Sequence, residues 1–75
     1  MPRLPNLTGQ QVIAVLEKHG FSVDRIEGSH HILKKPGHRY LLSVPVHSGK
    51  TLKPGTLRRI IRDAGLSLEQ FSALL

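Results

Sequence analysis

The chain has 75 residues and a formal net charge of +6, with eleven Lys and Arg against five Asp and Glu. This length leaves room for a small core, and we expect residues 1–75 to form a single domain. The sequence has no cysteine, which excludes disulfide frameworks and thiolate metal sites. The positive charge of such a small domain favours a polyanionic partner, and nucleic acid is the first candidate. The alternative is that the charge only keeps the protein surface soluble.

The hydropathy pattern indicates the cellular location of the protein. No stretch approaches the length of about 18 apolar residues that a membrane helix requires, and the N-terminal segment lacks the apolar core of a signal peptide. We therefore expect a cytoplasmic protein without a membrane partner. Apolar residues make up 39% of the chain, which favours a folded domain over a disordered arm.

The first predicted element is a helix over about residues 8–19. Thr8 and Gln11 have the spacing of a capping box, in which each side chain binds the backbone N–H of the other residue. An apolar stripe follows, and Gly20 is typical of the left-handed end of a helix.

Between Phe21 and Val46 the apolar residues recur at every second position, which predicts three strands in an antiparallel meander. The strands are expected at about 21–27, 31–34 and 39–44. A two-residue turn at residues 36–37 would place Leu33 opposite Tyr40 and His31 opposite Leu42. A longer turn would change these partners but keep the alternation of faces.

The two faces of the predicted sheet differ in polarity. The more apolar face, which we expect the helices to cover, carries His31, Leu33, Tyr40, Leu42 and Val44. The other face carries His30, Lys34, Arg39 and Ser43, together with Ile32 and Leu41.

A second helix is predicted to begin at Pro54, because proline suits the first helical position. Its apolar stripe consists of Leu57, Ile60, Ile61 and Ala64. Gly65 ends it, and Ser67 with Gln70 forms a capping box for a last short helix. The fold class is therefore α+β, in the order α-β-β-β-α, with helices on one face of an antiparallel three-stranded sheet. The double-stranded-RNA-binding fold has this order too.

The basic residues are candidate phosphate ligands. Lys53 could bind a phosphate together with the backbone N–H groups of Gly55 and Thr56 at a helix N-terminus. The other candidates are Lys34, Arg39, Lys50, Arg58, Arg59 and Arg62. For the three arginines the alternative is a solvated helix face.

Five histidines are the second unusual feature of the composition. A metal site is not favoured, because the spacing matches no zinc pattern and the adjacent His30 and His31 should point to opposite faces. A histidine acting as general acid or base is the sharper hypothesis, since its ordinary pKa of about 6.5 suits proton transfer near neutral pH. Packed or merely exposed histidines are the alternative for each one. Gly28-Ser29 before His30 singles that residue out, because a glycine turn lets a ligand approach closely.

Four segments of the sequence resemble the HicA toxins of bacterial HicAB toxin–antitoxin systems. They are residues 28–32 (GSHHI), 44–50 (VPVHSGK), 52–57 (LKPGTL) and 64–67 (AGLS). The resemblance implies a double-stranded-RNA-binding-like fold and metal-independent cleavage of mRNA, without a cofactor. It also implies neutralisation by a HicB-type antitoxin protein. The catalytic histidine of the family maps onto His30, with Gly28 and Ser29 in the RNA-binding turn before it.

Two alternatives come from other functional classes. The first is an RNA-binding module of the same fold that does not cleave. The second is a DNA-reading domain, because residues 62–70 resemble the first turn of a repressor-type helix-turn-helix. Such a domain needs a further helix for the major groove, and none is expected before Leu75, so this alternative is not favoured.

Overall fold

The structure is a computed structural model that describes residues 4–75. Its elements are α1 (Gly9–Lys18), β1 (Ser22–Glu27), β2 (His30–Lys34), β3 (Leu42–Pro45), α2 (Pro54–Asp63) and α3 (Leu68–Ala73). The three strands form one antiparallel sheet in the order β1-β2-β3. The predicted α+β order, with its appended short helix, is confirmed. No helix among residues 4–75 is long and apolar enough to span a membrane.

Both predicted capping boxes are present, which explains why the helix boundaries were predictable. The Thr8 hydroxyl accepts from the Gln11 N–H at 3.2 Å, and the Gln11 side chain accepts from the Thr8 N–H at 2.9 Å. Ser67 and Gln70 repeat the arrangement at α3, at 3.0 and 2.8 Å. These bonds satisfy backbone donors that lack a partner within the helix, so they fix where each helix begins.

The core lies between the helices and one face of the sheet. On that face Leu33, Leu42 and Val44 are almost fully buried. The helices contribute Val12, Ile13, Val15, Leu16, Leu57, Ile60, Ile61, Ala64 and Phe71 to the same cluster. The opposite face carries the exposed His30, Lys34 and Ser43. Side chains therefore alternate between faces as predicted, and the second face stays open except at Ile32, which is buried.

The register between β2 and β3 that a two-residue turn predicts is wrong by two residues, and the alternative of a longer turn with other partners is confirmed. Leu33 lies opposite Leu42 rather than Tyr40, and His31 lies opposite Val44 rather than Leu42. A shift of two residues keeps every side chain on its predicted face, because the side-chain period of a strand is two.

The reason for the shifted register is the type of turn at Pro36-Gly37. The His38 N–H donates to the Lys35 carbonyl at 3.0 Å, and Gly37 has φ +80°. Proline followed by a glycine of positive φ is the pattern of a type II turn, which does not match the twist of a hairpin. The chain therefore needs more residues before pairing resumes at Leu42.

This longer connection also corrects the predicted third strand, which begins at Leu42 and not at Arg39. Tyr40 lies in the connection with 61% of its surface exposed, so its predicted place under the helices is wrong. Arg39 is also exposed in this connection rather than on the open face of the sheet.

Strand β1 forms a free edge of the sheet, and all six of its residues are exposed. Its pairing with β2 is interrupted between Val23 and Arg25 by a bulge at Asp24. Arg25 forms ion pairs with both Asp24 and Glu27, so paired charges lie beside the exposed Val23 and Ile26 on this edge.

Gly9, the first residue of α1, lies directly against the end of β3. A Cβ at this position would lie 2.3 Å from the Pro45 carbonyl oxygen and 3.0 Å from Cγ2 of Val46. Only a residue without a side chain allows this approach, so the start of α1 and the segment after β3 are packed backbone to backbone.

We predict that Gly9→Ala lowers the free energy of unfolding by about 1–3 kcal/mol, because the added methyl group would collide with backbone atoms that cannot move freely. Gly55→Ala is the matched control, since a Cβ there meets no atom within 4 Å. It should leave stability unchanged or raise it by about 0.4–1 kcal/mol. Urea denaturation of both variants checks this, and equal stability of the two would contradict the packing.

Candidate nucleic-acid interface

The turn that precedes His30 is a tight two-residue hairpin connection. Glu27 and His30 are paired across β1 and β2, which leaves Gly28 and Ser29 as the two turn residues. Gly28 has φ +61° and Ser29 does not have a positive φ, which is the pattern of a type II′ turn with glycine first. The turn holds the exposed side chain of His30 at the first position of β2, on the open face.

The end of β3 and the residue after it pair with this turn. His30 lies opposite Pro45, and the Val46 N–H donates to the Ser29 carbonyl at 2.7 Å. Pairing thus continues one residue beyond β3. The loop that follows, residues 46–53, is anchored at its far end by a 2.7 Å bond from the Leu52 N–H to the Leu7 carbonyl.

A cleft of about 340 Å³ lies where this loop meets the start of α2. It is lined by Pro45, His47, Lys50, Thr51, Leu52, Lys53 and Thr56. Lys53 is the N-cap residue of α2, and no side chain caps this helix. The first turn of α2 has no acidic residue, so backbone N–H groups and two lysines give this cleft a positive potential.

A second cleft, of about 150 Å³, lies farther along the same side of α2. Arg59, Ile60 and Asp63 line it from the helix, and residues 41–43 line it from β3 and the connection before it. Thr56, Arg59 and Asp63 are three or four residues apart, so they follow one side of the helix. The two clefts therefore lie along one groove between α2 and the β3 side of the sheet.

The three predicted arginines of α2 do not share one surface. Arg59 lines the groove, whereas Arg58 and Arg62 are four residues apart and face away from the buried stripe. Arg62 also lies 3.7 Å from the Asp63 carboxylate. The structure thus brings Arg59 together with Lys50 and Lys53 along the groove, and places Arg58 and Arg62 on its outer side.

Lys34 and Arg39 lie outside this groove. The Lys34 ammonium is 3.2 Å from the Asp24 carboxylate, and hydrogen bonds from Lys34 and Arg25 lower the pKa of that carboxyl group. The charge of Lys34 is therefore partly neutralised. Arg39 is exposed in the connection between β2 and β3, at the opposite end of β3 from His30.

The histidines occupy distinct environments. The His38 ring nitrogen Nε2 is bonded to the Asp63 carbonyl at 2.7 Å, at the C-terminal end of α2, and its ring packs edge-on against Phe21. His19 also lies near the Phe21 ring, where burial and the nearby charge of Lys35 lower the pKa of its imidazole. Both rings belong to an aromatic cluster.

His31 is half-buried on the core face opposite Val44, and its Nδ1 atom is buried without a hydrogen-bond partner. His30 and His47 are exposed. Among residues 4–75, no group of three or more His, Cys, Asp or Glu side chains has an arrangement that could hold a metal ion.

Sequence reasoning missed His47 as a residue of this interface. The signal that could have found it is the strand register, because His47 follows the two residues that pair with the turn before His30. The incorrect register placed residues 46–53 farther from that turn than they are.

We predict that His30→Ala changes the free energy of unfolding by less than about 0.5 kcal/mol, since an exposed side chain makes few contacts. His31→Ala should cost about 1–2 kcal/mol through lost packing against the core face. Thermal denaturation followed by circular dichroism measures both. Greater destabilisation by His30→Ala than by His31→Ala would contradict the assignment of faces.

Comparison with known proteins agrees with the resemblance of the four motifs. No curated protein matches the chain significantly. A family model described as HicA toxin of bacterial toxin–antitoxin systems matches residues 9–66. The match extends from the first residue of α1 to the residues just after α2, and so includes the hairpin turn, the loop and the groove. The chain therefore belongs to the HicA toxin family.

Proposed function

We propose that this protein is an endoribonuclease that cleaves mRNA as the toxin of a toxin–antitoxin pair, with His30 as a catalytic residue. The observation that carries the proposal is the position of His30. His30 is exposed at the end of a tight hairpin turn. A backbone hydrogen bond from Val46 to Ser29 joins that turn to the loop that lines the basic cleft.

The groove supplies the binding part of the function. Lys50, Lys53 and the free N–H groups at the start of α2 bind phosphates at one end, and Arg59 binds a further phosphate along the helix. Gly28 and Ser29 allow the RNA backbone to approach His30 closely, because nothing lies within 4 Å of the position of a Cβ on Gly28. Lys34, Arg39, Arg58 and Arg62 add to the positive potential around this path.

In the proposed reaction the ribose 2′-OH attacks the adjacent phosphorus. His30 accepts the proton of the 2′-OH while the bond from O2′ to phosphorus forms and the bond from phosphorus to the 5′ oxygen breaks, and a second acid or water gives that oxygen the proton of the 5′-OH product. The lysines of the cleft stabilise the extra negative charge that develops on the phosphate oxygens. The reaction requires neither a metal ion nor a cofactor, and its products are a 2′,3′-cyclic phosphate and a 5′-OH.

The proposed inhibitor is a HicB-type antitoxin protein. A toxin of this kind is neutralised when the antitoxin covers the surface that RNA would occupy. The exposed basic groove calls for an acidic or otherwise complementary surface on that antitoxin.

A non-catalytic RNA-binding module of the same fold is the second candidate. The basic groove favours it as much as it favours a nuclease, because phosphate binding by Lys50, Lys53 and Arg59 does not depend on His30. Cleavage by the purified protein distinguishes the two.

We predict that His30→Ala reduces the rate of mRNA cleavage by about 10²–10⁴-fold, the typical loss on removal of a general acid–base group. The variant should still bind RNA, because the groove is intact. Single-turnover cleavage of a defined, end-labelled RNA gives the rate, and His19→Ala is the matched control because His19 lies in the aromatic cluster.

Two further conditions test the chemistry of this step. EDTA should leave the wild-type rate unchanged, and a 2′-deoxy substitution at the cut site should abolish cleavage. Loss of activity in EDTA, or cleavage of the deoxy substrate, would point to a metal-activated water. Tight RNA binding without any cleavage by the wild-type protein would favour the non-catalytic module.

We predict that Arg59→Ala weakens RNA binding and lowers the slope of log Kd against log salt by about 0.7, the contribution of one neutralised phosphate on a single strand. Arg25→Ala is the control, since Arg25 lies on the far edge of the sheet and is paired with two carboxylates. Fluorescence anisotropy over a salt series measures the slopes. Equal slopes for Arg59→Ala and wild type would show that RNA does not bind along the groove.

A further inference from the structure

We propose that His47 is a second catalytic residue and acts as the general acid that protonates the leaving 5′ oxygen. This inference rests on the proposed ribonuclease function, because it assigns the half of the proton transfer that His30 leaves open.

The strand register brings the segment that carries His47 alongside the turn that carries His30. Pro45 is the direct partner of His30, and the Val46 N–H donates to the Ser29 carbonyl. The two segments of the chain therefore run side by side at this end of the sheet. His47 lies two residues beyond Pro45 and therefore extends toward the same open face. Val46, between them, packs against the core, as this alternation requires. In a regular antiparallel pair such diagonal neighbours are about 7–8 Å apart, and a spacing of this size leaves room for one phosphodiester between two imidazoles.

The cleft supplies the second argument. His47 is exposed and lines the cleft together with Lys50 and Lys53, the side chains that we assign to the phosphate. Its backbone is held by a turn, because the Lys50 N–H donates to the His47 carbonyl at 3.0 Å and Gly49 adopts φ +71°. An imidazole at this place is both accessible to RNA and held near the scissile phosphate.

The other histidines do not meet these conditions. His38 is bonded to Asp63 at the C-terminal end of α2, whereas the cleft is at the N-terminal end, about 15 Å away along a ten-residue helix. His19 belongs to the same aromatic cluster as His38. His31 lies on the core face. An ammonium group is in general a weaker acid than an imidazolium group, so a histidine suits protonation of the leaving oxygen better than a lysine does.

The two imidazoles complete the proton balance of the cleavage step. Neutral His30 takes the proton of the 2′-OH as O2′ bonds to phosphorus. Protonated His47 gives its proton to the 5′ oxygen as the bond between that oxygen and phosphorus breaks. The step ends with protonated His30 and neutral His47, and exchange of protons with water restores both.

An RNA with sulfur in place of the bridging 5′ oxygen tests this role, because a thiolate leaves without being protonated. The substrates are a defined mRNA fragment and the same fragment with one such 5′-phosphorothiolate linkage at the cut site. We expect His47→Ala and His47→Gln to cleave the ordinary RNA about 10²–10⁴-fold more slowly than wild type, and the sulfur-containing RNA at close to the wild-type rate. His30→Ala should be slow on both substrates.

The controls separate catalysis from binding and folding. Ser48→Ala, in the same exposed loop, should cleave both substrates at the wild-type rate. The affinity of His47→Gln for a 2′-O-methyl RNA, which cannot be cleaved, should equal that of the wild type. If the sulfur-containing RNA does not restore the cleavage rate of His47→Ala and His47→Gln, then His47 is not the acid. The same conclusion follows if these variants lose only their affinity for RNA. Failure of the wild-type protein to cleave either RNA would instead overturn the proposed function and this assignment with it.

Discussion

The backbone bond from Val46 to Ser29 is the constraint on which the candidate site depends. It extends the pairing of β2 and β3 by one residue beyond the end of β3, so the turn before His30 and the loop from residue 46 leave the sheet side by side. Gly9 supports the same point from the helix layer, because its missing side chain lets α1 begin directly against Pro45 and Val46. The candidate site is therefore positioned by main-chain contacts, which are more rigid than contacts between long side chains.

Local chemistry explains which parts of the fold could be predicted. Thr8 with Gln11, and Ser67 with Gln70, define helix starts through bonds between residues three positions apart, and the sequence contains all of that information. The partners of β3 depend instead on the conformation of the turn at Pro36-Gly37. The same two residues suit a hairpin or a type II turn, and only the packed structure decides between them.

The candidate site shows the same division. His30 is a candidate from the sequence through the Gly28-Ser29 turn before it and the HicA resemblance, both of which are local in the chain, whereas the groove joins residues that are far apart in the chain. Arg59 and its neighbour Arg58 look equivalent in sequence, but the helix directs only Arg59 toward β3. Lys34 looks like a free phosphate ligand, and its pairing with Asp24 depends on the alignment of β1 with β2.

The bulge in β1 has a consequence for how the protein behaves at high concentration. A sheet of three strands with an uncovered outer strand offers unpaired N–H and C=O groups to any extended chain. The extra residue at Asp24 breaks the regular spacing of those groups, and the charges of Asp24, Arg25 and Glu27 surround the break. Together these features oppose the pairing of sheets edge to edge, so the outer strand of this sheet is protected against aggregation.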